Sequence, residues 1–293
     1  MSTQPIKRLC VIGVGLIGGS LARALRAAQA VEEIVGCGRD EAHLQRAQAL
    51  GVIDRYVMDP AQAVGDADVV VVAVPVGACE GIFRAIAPGL AADTVVTDVG
   101  STKGSVVDAA QRAFGRLPAC FVPGHPIAGN ERSGVEASLV DLFVDRTVIL
   151  TPHADTKPAC LAKVRAMWEA CGARVVAMPA QHHDEVLAAT SHLPHMLAYL
   201  LVDTLARMHD KTEIFAYAAG GFRDFTRIAS SDPEMWHDIC FANREALLDV
   251  LERYRGQLDE LIQAVRAGNS DYIREVFVRA KQARDNFTAD KKS

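Results

Sequence analysis

The sequence predicts an α/β domain built on a parallel, doubly wound sheet, followed by an all-helical domain. Three observations predict it. Strand-like and helix-like segments alternate up to about residue 178, the first strand-like run ends in a glycine cluster, and beyond Gln181 only helical spacing remains. Alternating βα segments imply parallel strands with helices crossing over on both faces of the sheet.

The elements are taken in chain order. Leu9 to Ile12 is a short apolar run, and Leu16 to Ala28 continues it with helical spacing and many alanines. Glu33 to Gly36 reads as a second strand and Glu41 to Leu50 as a second helix. Val69 to Val74 is a continuous apolar run, as expected of a strand covered on both faces. Thr94 to Asp98 and Thr147 to Leu150 are further strands. Helices are expected over Val186 to Met208, Pro233 to Tyr254, Gln257 to Ala267 and Tyr272 to Phe287. Asp232 before Pro233 is a good helix start, and Gly268 closes a helix before Ser270 caps the next. The change of character places the boundary at residues 179/180, giving domains 1–179 and 180–293.

Composition excludes several classes. The 293 residues carry 31 basic and 36 acidic side chains, a net charge of −5, so there is no basic footprint for nucleic acid. Half the residues are hydrophobic, enough for a sizeable core. The longest apolar run is far short of the roughly 20 residues of a membrane span. The N-terminus leaves no room for a signal peptide ahead of the first strand. The seven cysteines form no CxxC pair. They predict buried free thiols in a reducing, cytoplasmic setting rather than disulfides or a zinc site.

The glycine cluster is Gly13-Val14-Gly15-Leu16-Ile17-Gly18, a GxGxxG between strand and helix. Gly13 permits the turn, Gly15 the close approach of a pyrophosphate and Gly18 the packing of helix on strand. The helix N-terminus then offers unpaired N–H groups to the phosphates. This predicts a Rossmann-type dinucleotide-binding domain, with Val74 and Pro75 beyond a strand end also at the cofactor. The second strand ends Gly36-Cys37-Gly38-Arg39-Asp40. Gly38 stands where an acid usually holds the ribose of NAD, Arg39 suits the 2′-phosphate of NADP, and Asp40 reaches the ribose if the turn differs by a residue. NAD or NADP both remain open.

Four segments offer chemistry. Ser101, after a strand end, either bonds a substrate hydroxyl or caps a helix with Thr102, and Lys103 is expected to contact anionic groups. His125, flanked by Pro123, Gly124, Pro126 and Gly129, is the candidate base on a restricted loop. Ser191, His192 and His195 share a helix notched by Pro194, whose missing N–H frees a carbonyl. They are read as substrate-binding, because no further metal ligand accompanies them. His182 and His183 read as solvated or capping residues. Arg227 either anchors a carboxylate or pairs with Asp224 on the surface.

The stretches GVGLIGGSLARAL, DVGSTKG, GHPIAGNERSG, ATSHLPH and GGFRDFTRIASSDPEMW, in this order, resemble the prephenate/arogenate dehydrogenase family. The resemblance spans roughly residues 7 to 285. It implies a Rossmann-type domain followed by an all-α dimerisation domain, a homodimer, and NAD(P)-dependent oxidative decarboxylation of prephenate to 4-hydroxyphenylpyruvate. It further implies His125 as the catalytic histidine, Ser101 as orienting the substrate hydroxyl, and Arg227 as binding a carboxylate. Ser191, His192 and His195 would line the pocket, Asn130 and Glu131 gate it, Asp224 pair with a pocket cation, and Trp236 reach the neighbouring subunit's site. Family members with a fused mutase or regulatory domain are longer, so neither is expected here. The nearest alternative is use of arogenate or of both substrates. A 6-phosphogluconate-type enzyme would need a catalytic lysine on the second domain's first helix. A non-catalytic NAD(P)-binding regulator would not need His125, Ser101 and Arg227 together.

Overall fold

The computed structural model describes residues 5–130, 132–208 and 211–290. Its strands are β1 (Ile6–Ile12), β2 (Val31–Cys37), β3 (Arg55–Val57), β4 (Val69–Val72), β5 (Val95–Asp98), β6 (Phe121–Val122), β7 (Gly124–Pro126), β8 (Thr147–Leu150) and β9 (Arg174–Ala177). The helices of the first part are α1 (Leu16–Ala27), α2 (Glu41–Ala49), α3 (Pro60–Ala63), α4 (Cys79–Ile86), α5 (Gly104–Phe114) and α6 (Pro158–Ala170). Then come α7 (Ala180–Leu187), α8 (Leu193–Ala206), α9 (Lys211–Ala216), α10 (Gly220–Thr226), α11 (Pro233–Ala242), α12 (Arg244–Ala267) and α13 (Ser270–Asp290). The chain packs as two units, 1–244 and 245–293. The second consists of α12 from Glu245 onward and α13.

Six strands form one parallel sheet in the order β3-β2-β1-β4-β5-β6. The strand order reverses between β1 and β4, and a crevice at such a point is where dinucleotides bind. All four residues of β4 are buried, and they alternate between two cores. Val69 and Val71 join Leu9 and Val11 on one face, while Val70 and Val72 join Cys10 and Ile12 on the other. That is the period-two geometry of a strand covered twice.

Of a second sheet, β7-β8-β9, the sequence patterns reach only β8, expected over Thr147 to Leu150. Only Pro123 separates β6 in the first sheet from β7 in the second. His125 therefore sits on a short strand paired antiparallel to β8, opposite Ile149, and not on a loop. β3, β6 and β7 are two or three residues long, too short for an alternating pattern to declare them.

Two expected helices are interrupted. The run Val186 to Met208 is α7, a π-helical turn over Ala188–His192, and α8. Leu193 N–H donates to the Ala188 carbonyl, five residues back. Pro194 cannot donate at the next position, and such wide turns recur at functional sites. The run Pro233 to Tyr254 breaks at Asn243 (φ −116°, ψ 37°), whereas α12 passes straight through Gly256. Asp232 caps α11 as expected, accepting from Met235 N–H.

One cysteine expectation is corrected. Cys120 and Cys160 are joined as a disulfide, while Cys10, Cys37, Cys79, Cys171 and Cys240 are free thiols. The pair is far apart in sequence, and only the packing of α6 beside β6 brings it together. No helix among the described residues is long and apolar enough to cross a membrane.

Candidate active site

The glycine loop is built for a phosphate group. Gly13 has φ +95°, and a Cβ there would lie 2.3 Å from the Ala73 carbonyl oxygen. A Cβ on Gly18 would lie 2.3 Å from the Gly13 oxygen, whereas one on Gly15 meets open space. Gly15 is the N-cap of α1 without a side-chain cap bond, and the first turn holds no acid. The uncapped helix start and the open space at Gly15 fit a pyrophosphate. Leu16, Ile17, Val74, Pro75, Ser101 and Asn130 line a cleft of about 530 Å³ over this loop. Arg39 is exposed beyond β2 and does not line it. Asp40 is the exposed N-cap of α2, accepting from His43 N–H through Oδ1.

His125 is buried at the start of a hydrogen-bonded chain. Its Nδ1 lies 2.8 Å from His183 Nε2, and His183 Nδ1 lies 2.7 Å from Asp184 Oδ1. The carboxylate only accepts, so His183 carries its proton on Nδ1 and presents a bare Nε2. His125 must then donate from Nδ1, which leaves the lone pair on its Nε2. The chain of bonds fixes the tautomer a base needs. Asp184 also accepts the backbone N–H groups of Lys103 (2.8 Å) and Gly104 (2.8 Å), so it caps α5 while holding His183. His183 is 0% exposed, which overturns its assignment as solvated or capping.

Lys103 is corrected in the same way. It is fully buried, and its ammonium donates to Asp98 and, at 2.7 Å, to the Gly124 carbonyl. Asp98 in turn accepts from Gly100 N–H and Gly124 N–H. Lys103 thus ties the end of β5 to the residue before His125 and is unavailable to anionic ligands. Thr102 pairs with Ser105, and no side chain caps α5 locally, so Ser101 is not a helix cap.

Behind the His125 chain stand the helical histidines. His192 is buried and takes a hydrogen bond from Asn243 Nδ2 (3.1 Å), which also donates to the Asp184 carbonyl (2.8 Å). Asn243 was missed because it sits in a helical run. Its departure from helical geometry is the only local trace, and that is a backbone fact. His195 stacks on Trp236, ring centroids 3.6 Å apart, and its Nδ1 donates to the Ser191 carbonyl (2.8 Å). Trp236 is therefore buried against the histidine of its own chain. Arg227 opens the 3-10 turn after α10, near enough to His195 that its charge acts on the ring. Asp224 is exposed on α10 and makes no ion pair among the described residues. Glu131 lies outside the described residues.

The electrostatics favour neutral imidazoles. Burial, then the His183, Lys103 and His192 charges, hold His125 well below the usual histidine value. Burial outweighs Asp184 and brings His192 down to about 4. Burial also lowers His195, with Arg227 adding to it against the Ser191 hydrogen bond. For Asp184, burial pushes upward. The hydrogen bonds from His183, Lys103 and Gly104 together outweigh it and hold the carboxyl below its ordinary value.

A glycine-loop cleft and an oriented, neutral histidine are the parts that a nicotinamide-dinucleotide oxidoreductase needs. Residues 21–177 match the family model "Prephenate dehydrogenase, nucleotide-binding domain" and residues 179–279 the model "Prephenate dehydrogenase, dimerization domain". A cyclohexadienyl dehydrogenase of Zymomonas mobilis is 41% identical over 95% of each chain. A prephenate dehydrogenase of Lactococcus lactis is 34% identical over 95% of this chain and 77% of its own. Among solved structures, prephenate dehydrogenase from Aquifex aeolicus, in complex with hydroxyphenyl propionate and NAD+, superposes with a TM-score of 0.87. It is 36% identical and covers 96% of this chain and 99% of its own. Synechocystis arogenate dehydrogenase superposes with a TM-score of 0.81 at 28% identity, covering 96% of this chain and 99% of its own. The chain belongs to the prephenate dehydrogenase family.

Proposed function

We propose that the protein oxidises prephenate to 4-hydroxyphenylpyruvate and carbon dioxide, with His125 as the base. The observation that carries this is the Asp184–His183–His125 chain, which leaves His125 Nε2 as the one bare ring nitrogen of the relay. A dinucleotide with its pyrophosphate at the glycine loop would supply the hydride acceptor through its nicotinamide. The ring carbon bearing the hydroxyl gives up hydride, the hydroxyl proton passes to His125 Nε2, and the ring carboxylate leaves as carbon dioxide while the ring aromatises. Ser101, on the cleft wall, orients that hydroxyl. Arg227 holds a substrate carboxylate, with Ser191, His192, His195 and Trp236 forming the pocket around it and Asn130 and Asp224 at its margin. His183 and Asp184 are positioning residues, because they act through His125.

Arg39 has no ion pair among the described residues, which suits a ribose 2′-phosphate, so we expect NADP to be accepted beside NAD. A second reading, use of arogenate as well, is favoured by the name of the Zymomonas relative. We further propose a homodimer working in the cytoplasm. The match to a dimerization-domain model and the likeness to bacterial biosynthetic enzymes support these two points. One assay tests the activity: absorbance at 340 nm with prephenate or arogenate, each with NAD+ or NADP+. Turnover of prephenate is expected, and no turnover in any of the four mixtures would refute the proposal.

A further inference from the structure

The wall of the glycine-loop cleft carries a cation with no role so far. Arg132 and Gly134 line the same space as Gly15, Leu16 and Ile17. Among the described residues lining that cleft, Arg132 is the sole lysine or arginine, while Asp232, Glu234 and Asp238 supply three acids. Arg132 is exposed and makes no ion pair among the described residues, despite those neighbours.

The residues on either side of Arg132 fix its place. Gly134 turns the chain with φ +89° into a 3-10 turn, Val135–Ala137. That turn is fastened to α1. Arg23 Nε donates to Ser138 Oγ (2.8 Å), Ser138 Oγ donates to the Val135 carbonyl (2.5 Å), and Leu139 N–H donates to Ser20 Oγ (2.9 Å). Gly19 leaves the room for this contact, since a Cβ there would lie 3.1 Å from Ser138 Cβ. On the other side, Arg132 N–H donates to Asn130 Oδ1 (2.8 Å). The segment is therefore docked on the first turns of the helix whose N-terminus faces the cleft.

Charge completes the picture. A dinucleotide pyrophosphate brings about two negative charges, and a helix N-terminus offers only about half a positive one. The first turn of α1 has no basic side chain, and the acids of α11 repel an anion. We infer that Arg132 binds the pyrophosphate of the dinucleotide, supplying the charge the glycine loop lacks. The inference rests on the cleft being the cofactor site and not on the identity of the oxidised substrate.

The test is binding to the free enzyme by titration calorimetry, with ADP-ribose, which contains the pyrophosphate, and adenosine, which does not. Arg132→Gln is expected to weaken ADP-ribose about tenfold, as loss of one charge-assisted contact does, and to leave adenosine within twofold. Arg132→Lys should recover part of the loss. ADP-ribose affinity within twofold of wild type in Arg132→Gln would overturn the inference. So would equal losses for both ligands, or a change confined to the KM for prephenate at saturating cofactor. Failure of wild type to bind ADP-ribose would remove the cofactor reading itself. Failure to turn over prephenate while binding ADP-ribose would leave this inference standing.

Discussion

His125 combines two properties that a base at neutral pH needs, a fixed tautomer and a neutral ring. The first comes from hydrogen bonds to His183 and through it to Asp184; the second comes chiefly from burial. Asp184→Asn should lower kcat about 100-fold or more, because an amide that donates to His183 turns the chain of bonds around. KM for prephenate should change little, and a kcat within threefold of wild type would separate Asp184 from the reaction. Arg227→Ala should act in the opposite sense, raising KM for prephenate by about tenfold or more with a smaller change in kcat. The lowered histidines also set how stability depends on pH. His125, His192 and His195 are held neutral in the fold but take up protons near pH 6.5 when unfolded. The unfolded state therefore binds more protons below that pH, so stability is full above about 6.5 and falls with acid toward about 4, the value of His192. Thermal melting from pH 8 to pH 4.5 reads this directly. The sequence singles out His125 because prolines and glycines surround it. His183 was not, since of two adjacent histidines a helical pattern does not say which faces inward. Lys103 looked like an anion ligand because nothing local reveals that Asp98 and Gly124 enclose it.

At the scale of elements, the site is assembled where regular structure fails. The π-helical turn over Ala188–His192 carries Ser191 and His192, and Asn243 ends α11 with its amide between Asp184 and His192. The sequence announces the first break through Pro194 but not the second, because Asn243 is held by partners far away in the chain. The end of β5 is joined to β7 by the buried Asp98–Lys103 pair, both side chains 0% exposed. Removing one partner strands the other charge without solvent. Lys103→Met should therefore cost about 3–5 kcal/mol, seen as a large fall in Tm. The double variant Asp98→Asn/Lys103→Met should recover part of that loss. A single variant as stable as wild type would mean the pair is not buried as described.

Over the whole molecule, the change from alternating βα segments to helices was plain from hydrophobic spacing, and the two family models meet at residues 177 and 179. The second sheet was not plain, because β7 has three residues and β9 is largely exposed. The packing units divide later, at Arg244, because α7 to α11 pack with the sheet region through contacts such as His183 on His125 and α11 on the turn after β4. In the second unit, Leu258, Ile262 and Val265 of α12 and Phe277 and Val278 of α13 are exposed apolar residues. Apolar area of that kind is what a subunit interface covers. Sedimentation velocity should give twice the chain mass of 31.5 kDa, and a monomer at micromolar concentration would exclude the homodimer. Most direct for the chemistry is the rise of absorbance at 340 nm when His125→Asn meets prephenate and saturating cofactor, with the cofactor Kd measured on the same preparation. A fall in kcat of about 100-fold or more at unchanged Kd is expected of a lost base. A rate near that of wild type would contradict His125 in that role.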